Sequence, residues 1–205
     1  MVNYMEIFKE IITALNPFFK QNGFTKKGNT YYLEVNKNYG LVNFQKSRES
    51  TKDLIKFTIN FGIYSNFLGQ LEYDYNNLLK PEFDQCQWQA RVGTFMSGSD
   101  DYWWSVNLSD DLNNVTNNVM DIVRNNIMPE MYKRLSDDGL INCWMNETFA
   151  GTTEIGRFKY LTTLLKAKGD FNTLNQVIET FMKHTQGKPN AIIAIEHLKE
   201  IQYGK

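Results

Sequence analysis

The run Lys56-Phe57-Thr58-Ile59-Asn60-Phe61-Gly62-Ile63-Tyr64 alternates residue by residue between an apolar set and a second, more polar set. Successive side chains of an extended strand point to opposite faces. The spacing therefore puts Phe57, Ile59, Phe61 and Ile63 on one side and Thr58, Asn60, Gly62 and Tyr64 on the other. One side reads as core and the other as the polar, water-facing surface of an antiparallel sheet.

Working outward, residues 30–35 and 41–47 are short β-prone runs separated by Asn36-Lys37-Asn38-Tyr39-Gly40, which predicts a hairpin. Residues 88–95 and 102–107 give two more strands, joined through Ser97-Gly98-Ser99-Asp100-Asp101. The expected sheet has about five strands, the usual size. Residues 65–87 mix Asn, Asp, Gly and Pro81 with Leu68, Leu71, Leu78 and Leu79, and read as a long connection with one helical turn or a loose helix.

The flanks follow helical spacing. Asn3 and Glu6 resemble a helix start, Ile7, Phe8, Ile11, Ile12 and Leu15 form one face, and Pro17 is expected to end or kink the helix. Ser109 reads as the N-cap of a second helix carrying Leu112, Val115, Val119, Ile122 and Val123, which Pro129 interrupts. Asp137-Asp138-Gly139 reads as a stop. An apolar patch (Leu140, Ile141, Cys143, Trp144, Met145) leads to helices over 155–168, 171–186 and 189–201, broken at Gly169-Asp170 and Gly187-Lys188. The reading is α+β: an antiparallel sheet with an N-terminal helix over residues 1–108 and a helical region over 109–205, packed as one cooperative domain.

At 205 residues and 42% hydrophobic, the chain can bury one substantial core. A net charge of −1, from 22 basic and 23 acidic residues, offers no field to draw it onto nucleic acid. Lys20, Lys26, Lys27, Lys37, Lys46 and Arg48, interleaved with Tyr31, Tyr32 and Tyr39, read better as a solvated surface than as a nucleic-acid face. The first residues lack a basic region followed by an apolar run, and no stretch nears the roughly 18 apolar residues of a membrane helix, so a cytoplasmic protein without membrane contact is expected. Cys86 and Cys143 lack zinc spacing and are expected to be reduced and buried. His184 and His197 read as helix-surface residues, and no cofactor is called for. Neither Gly23-Phe24-Thr25-Lys26-Lys27-Gly28 nor Ser97-Gly98-Ser99 has the spacing of a phosphate-cradling loop.

Several runs carry a family resemblance: Gly23-Phe24-Thr25-Lys26-Lys27-Gly28, Asn43-Phe44-Gln45-Lys46-Ser47, residues 57–63, Cys86 with Arg91-Val92-Gly93, and Asp101-Tyr102-Trp103-Trp104. In this order they are similar to domain of unknown function 4304, over residues 1 to about 110, with a weaker echo around Arg157-Phe158-Lys159-Tyr160-Leu161 and Lys168-Gly169-Asp170. The resemblance implies a bacterial, cytoplasmic setting and a sheet-plus-helices fold, and brings no catalytic residues with it.

Two constellations are candidates for function. Alternation groups Asn43, Gln45 and Ser47 with Thr58, Asn60, Gln89, Arg91, Ser105 and Asn107 on the polar sheet face. That face reads as solvated surface or as a shallow site, where Gln45, Asn60 and Arg91 would hold a small anionic ligand through amide and guanidinium donors. Without a carboxylate or His in the set, binding is favoured over turnover. The second is Asp100, Asp101 and Trp103: neighbouring Trp103 and Trp104 must point to opposite faces, so one either lies under the C-terminal helices or is free to meet a protein partner. The favoured expectation is a non-enzymatic, immunity-like interaction protein; the alternative is a binder of, or an enzyme acting on, a small anion.

Overall fold

In a computed structural model the chain has an α+β fold; residues 4–73, 80–96 and 101–203 are described. Strands β1 (Thr25–Lys27), β2 (Thr30–Val35), β3 (Asn38–Lys46), β4 (Leu54–Tyr64) and β5 (Trp88–Arg91) lie side by side in that order, and β6 (Trp104–Asn107) also pairs with β4. Every pairing is antiparallel. At 11 residues β4 is long enough to serve two partners along one edge. Residues 60–63 pair with β5 and residues 54–57 with β6, which leaves Thr58 and Ile59 with a strand partner only on the β3 side.

The β2–β3 turn is tighter than the five-residue break expected. Asn36 and Lys37 take left-handed φ values of 51° and 70°, making a two-residue turn whose twist matches the strands, so Asn38, Tyr39 and Gly40 join β3. Asn38 is then free to tie elements together: its Nδ2 donates to Asp137 Oδ1 at 3.2 Å and its Oδ1 accepts from Asn66 N at 2.9 Å. The two strands expected after residue 87 are also shorter. Val92–Phe95 turns into a 3-10 segment, and pairing to β4 resumes only at Trp104. In the 65–87 connection, α2 (Asn66–Tyr73) is a true helix, followed by a 3-10 turn at Phe83–Gln85.

Helix α1 (Tyr4–Gln21) buries Ile7, Phe8, Ile11, Ile12, Leu15, Phe18 and Phe19 against the inner sheet face. Pro17 does not end it. The ring is exposed, and Phe19, stacked on Tyr31 at 3.8 Å and edge-on to Phe24 at 5.2 Å, carries the helix past the missing hydrogen bond. The second helix is capped by Asp111 rather than Ser109, because Asp110 is taken by the turn, accepting from Asn107 N at 2.7 Å. It runs as α3 (Leu112–Ile122), widens into a π turn at Val123–Ile127, and continues as α4 (Met128–Arg134) with Pro129 in its first turn. The ladder absorbs the proline rather than breaking there. Asp137-Asp138-Gly139 is a start rather than a stop: Ser136 Oγ accepts from Gly139 N at 3.0 Å, and the two acids sit at the positive end of α5 (Asp137–Asn146).

Helices α6 (Glu154–Lys168), α7 (Phe171–Thr185) and α8 (Pro189–Tyr203) follow, broken where the glycines predict. One hydrophobic core runs from α1 through the inner sheet face, α3, α4 and α5 to Leu161, Leu164 and Leu165 of α6 and Leu174 of α7. Among the described residues no helix is long and apolar enough to cross a membrane.

Candidate functional site

The inner set of β4 is buried as its alternation predicts, with Phe57, Ile59, Phe61 and Ile63 all at 0% exposure. The outer face departs from the expected water-facing surface and divides in two. At one end Tyr32, Leu41, Tyr64 and Cys86 form a second small core, edged by Tyr39 and Phe83. Residues 83–87 fold over Gly62 so closely that a Cβ there would stand 2.9 Å from Cys86 Cβ. At the other end lie the polar residues, in register across the sheet: Asn43 beside Asn60, Asn60 beside Arg91, and Gln45 beside Thr58.

Asn60 organises that polar end. Its Nδ2 donates to Gln45 Oε1 at 2.7 Å and its Oδ1 accepts from Arg91 Nε at 3.2 Å. Arg91 Nη1 forms an ion pair with Asp101, and the guanidinium carbon lies 5.3 Å from the centre of the Trp103 ring. The Trp103 side chain donates to the same carboxylate, and with the Arg91 guanidinium it holds the Asp101 carboxyl below the ordinary carboxylate range. Nearby, Thr58 Oγ1 donates to the Tyr102 carbonyl at 2.7 Å and anchors the incoming chain.

The structure thus brings Gln45, Asn60 and Arg91 together with Asp101 and Trp103 in one patch. It sits at the end of the β4–β5 pairing, at Asn60 and Arg91, beside the stretch of β4 at Thr58 and Ile59 that neither β5 nor β6 covers. Asp100 lies outside the described residues. Trp104 enters the core, stacked on Phe57 at 5.1 Å with Nε1 donating to Asn118 Oδ1, while Trp103 stays half-buried with the Arg91 guanidinium over its ring. Gln89 and Asn107, grouped with the site by alternation, serve turns instead: Gln89 Nε2 donates to the Cys86 carbonyl at 2.9 Å and Asn107 contacts Asp110.

The patch offers amide, guanidinium, carboxylate and indole groups that are already paired with one another. Asp101, its carboxylate, is exposed and ion-paired, and its lowered pKa is the reverse of what a proton acceptor working near neutral pH needs. Two nitrogens of Arg91 are committed, so a small anion there has to compete with Asp101. Elsewhere, Cys86 and Cys143 are buried and burial pushes both thiols up. His184 is exposed and meets Glu154 at 3.2 Å, but His197 is buried against Thr162 Oγ1 at 2.9 Å, contrary to a surface reading. Among the described residues no three His, Cys, Asp or Glu side chains are grouped to hold a metal ion.

One constellation escaped the sequence reading. Arg134 is buried to 1% exposure, paired with Glu130 and Glu147, and its Nε contacts Cys143 Sγ at 3.2 Å. The Glu130-to-Arg134 spacing was visible, yet such a pair usually marks a solvated helix face.

No curated protein and no solved structure matches the chain. A family model matches residues 15–132, from the middle of α1 into α4; this is more than half of the chain and contains every strand and the whole described patch. The chain therefore belongs to the family described as domain of unknown function (DUF4304).

Proposed function

We propose that this chain is a non-enzymatic protein-interaction module whose contact patch is centred on Arg91, Asp101 and Trp103. The observation that carries the reading is the half-buried Trp103 ring lying beneath an arginine on an otherwise hydrogen-bonded sheet face. Trp and Arg are the side chains that most often dominate protein interfaces, and here Asp101 fixes both before any partner arrives. Gln45, exposed at the edge, and Asn60 beneath it add amide groups that can match a partner's polar rim. The finer reading, a chain that neutralises another protein as an immunity protein does, rests on the same patch. A small anionic ligand is the weaker claimant, since Asp101 already occupies the Arg91 fork.

The experiment is affinity purification of tagged wild type, Trp103→Ala, Arg91→Glu and Lys9→Ala from the native cell, followed by binding measurements on any protein recovered. The expected result is a partner held by wild type and by the α1-surface variant Lys9→Ala, but lost from the two patch variants. A partner that binds all four equally, or no partner in any preparation, overturns the proposal.

A further inference from the structure

We propose that the groove between α5, α6 and α7 is a binding site for a small carboxylate with a flat apolar body. The groove encloses about 400 Å³, within the size range of small-ligand sites. It lies beyond the family-matched residues and apart from the Arg91 patch.

The floor is preformed and apolar. Phe158 stacks on Phe181 with ring centres 4.1 Å apart, Trp144 is fully buried beside them, and Leu161 and Val177 complete the walls. Phe181 and Val177 keep part of their surface open, so a flat apolar group has ring faces to cover.

Charge decides which polar group the ligand carries. Two opposite charges line the groove, Glu154 and Arg157, one turn apart on α6. Glu154 is spoken for: Oε1 meets His184 Nε2 at 3.2 Å and Oε2 accepts from Asn190 Nδ2 at 2.8 Å. Arg157 commits only Nη2, which caps the carbonyl of Trp144 near the C-terminal end of α5, and its Nε and Nη1 have no hydrogen-bond partner among the described residues. That contact holds the guanidinium at the groove with donors to spare, an arrangement suited to a carboxylate. The unspent capacity in the groove is therefore for a negative group.

The test is titration of the full chain with 4-phenylbutyrate and with its neutral isostere 4-phenylbutyramide, followed by calorimetry and by the methyl NMR signals of Leu161 and Val177. The expected result is saturable binding of the acid, with the amide weaker by on the order of tenfold and the shifts centred on those methyls. Arg157→Met should bring the acid down to the amide's affinity. Val177→Trp, which fills the groove and leaves Arg157 in the sequence, should abolish binding of both and covers the case in which Arg157→Met fails to fold. Equal affinity for acid and amide, shifts confined to other methyls, or no saturable binding of the acid overturns the proposal.

Discussion

The guanidinium carbon of Arg134 lies 4.5 Å from the centre of the Trp88 ring, so the last residue of α4 is packed face-on against the first residue of β5. Around the ring, Gly151 approaches so closely that a Cβ there would stand 2.4 Å from Trp88 Nε1, and the Gly151 carbonyl accepts from Gln89 N at 2.7 Å. Arg134 and Trp88 therefore form one polar–aromatic junction where the sheet meets the helical region, within the core that both share. Replacing Arg134 with Met keeps the volume but leaves Glu130 and Glu147 without their shared cation. We expect a loss of about 3 kcal/mol, the low end for a broken buried pair because both carboxylates reach water. Urea unfolding checks it, and tryptophan fluorescence and circular dichroism should report one shared transition, as a single cooperative domain requires.

Gly62 is the second point where packing tolerates no side chain. A Cβ would meet Cys86 Cβ at 2.9 Å, Cys86 Sγ at 3.0 Å and the Trp88 carbonyl at 3.0 Å, and a central strand cannot step aside. Gly62→Ala should cost about 1–3 kcal/mol by overpacking. Adding Cys86→Gly should return part of that loss, since the carbonyl clash remains. Thermal melts of the single and double variants decide this, and a double variant no better than the single would place the strain at the carbonyl alone.

These two positions also show where sequence reading stops. The inner face of β4 could be read because period-2 alternation is local and Phe57, Ile59, Phe61 and Ile63 are uniformly apolar. The outer face carries the same parity information, which places Gln45, Asn60 and Arg91 on one side, where they hydrogen-bond in a row. That residues 83–87 and 101–103 would fold across it is a long-range fact that no local period encodes. β1, three exposed residues long, has no apolar rhythm to detect. Arg134 looks like any helix-surface arginine until Trp88 is packed beneath it. Ser136 is different: an N-cap serine followed by two acids is a readable helix start, although Gly139 three residues on suggests a stop.

The Arg91–Asp101–Trp103 patch has an acid limit that can be assigned to one group. Asp101 is held below its ordinary carboxylate range of 3.8 by the Trp103 side chain and by Arg91, so its contacts are complete above that range and are lost as pH falls through the lowered value. The Trp103 indole N–H signal in NMR should therefore stay put through the mildly acidic range and move only below the normal carboxylate titration. In Asp101→Asn it should lose that acid transition altogether. Movement centred at the ordinary carboxylate value or above it would mean that the ion pair is not formed in solution.

His197 sets a different and wider pH window. Burial between α6 and α8 lowers its pKa from 6.5 to about 4, Lys159 adds to the lowering, and Glu200 opposes it. The neutral ring is held by Thr162, whose Oγ1 lies 2.9 Å from Nε2 and also reaches the Phe158 carbonyl at 2.8 Å, so the imidazole fits there as a donor without charge. Between the two values the unfolded chain binds a proton that the folded chain refuses. The stability contribution is then complete above pH 6.5 and falls as the pH is lowered toward 4, by up to roughly 3 kcal/mol. Urea midpoints at about pH 7, 5.5 and 4 should decline along that slope in wild type. His197→Gln, which keeps a hydrogen-bonding group but cannot titrate, should start lower and flatten the slope over the same interval; a slope unchanged by the substitution would assign the acid sensitivity to the carboxylates instead.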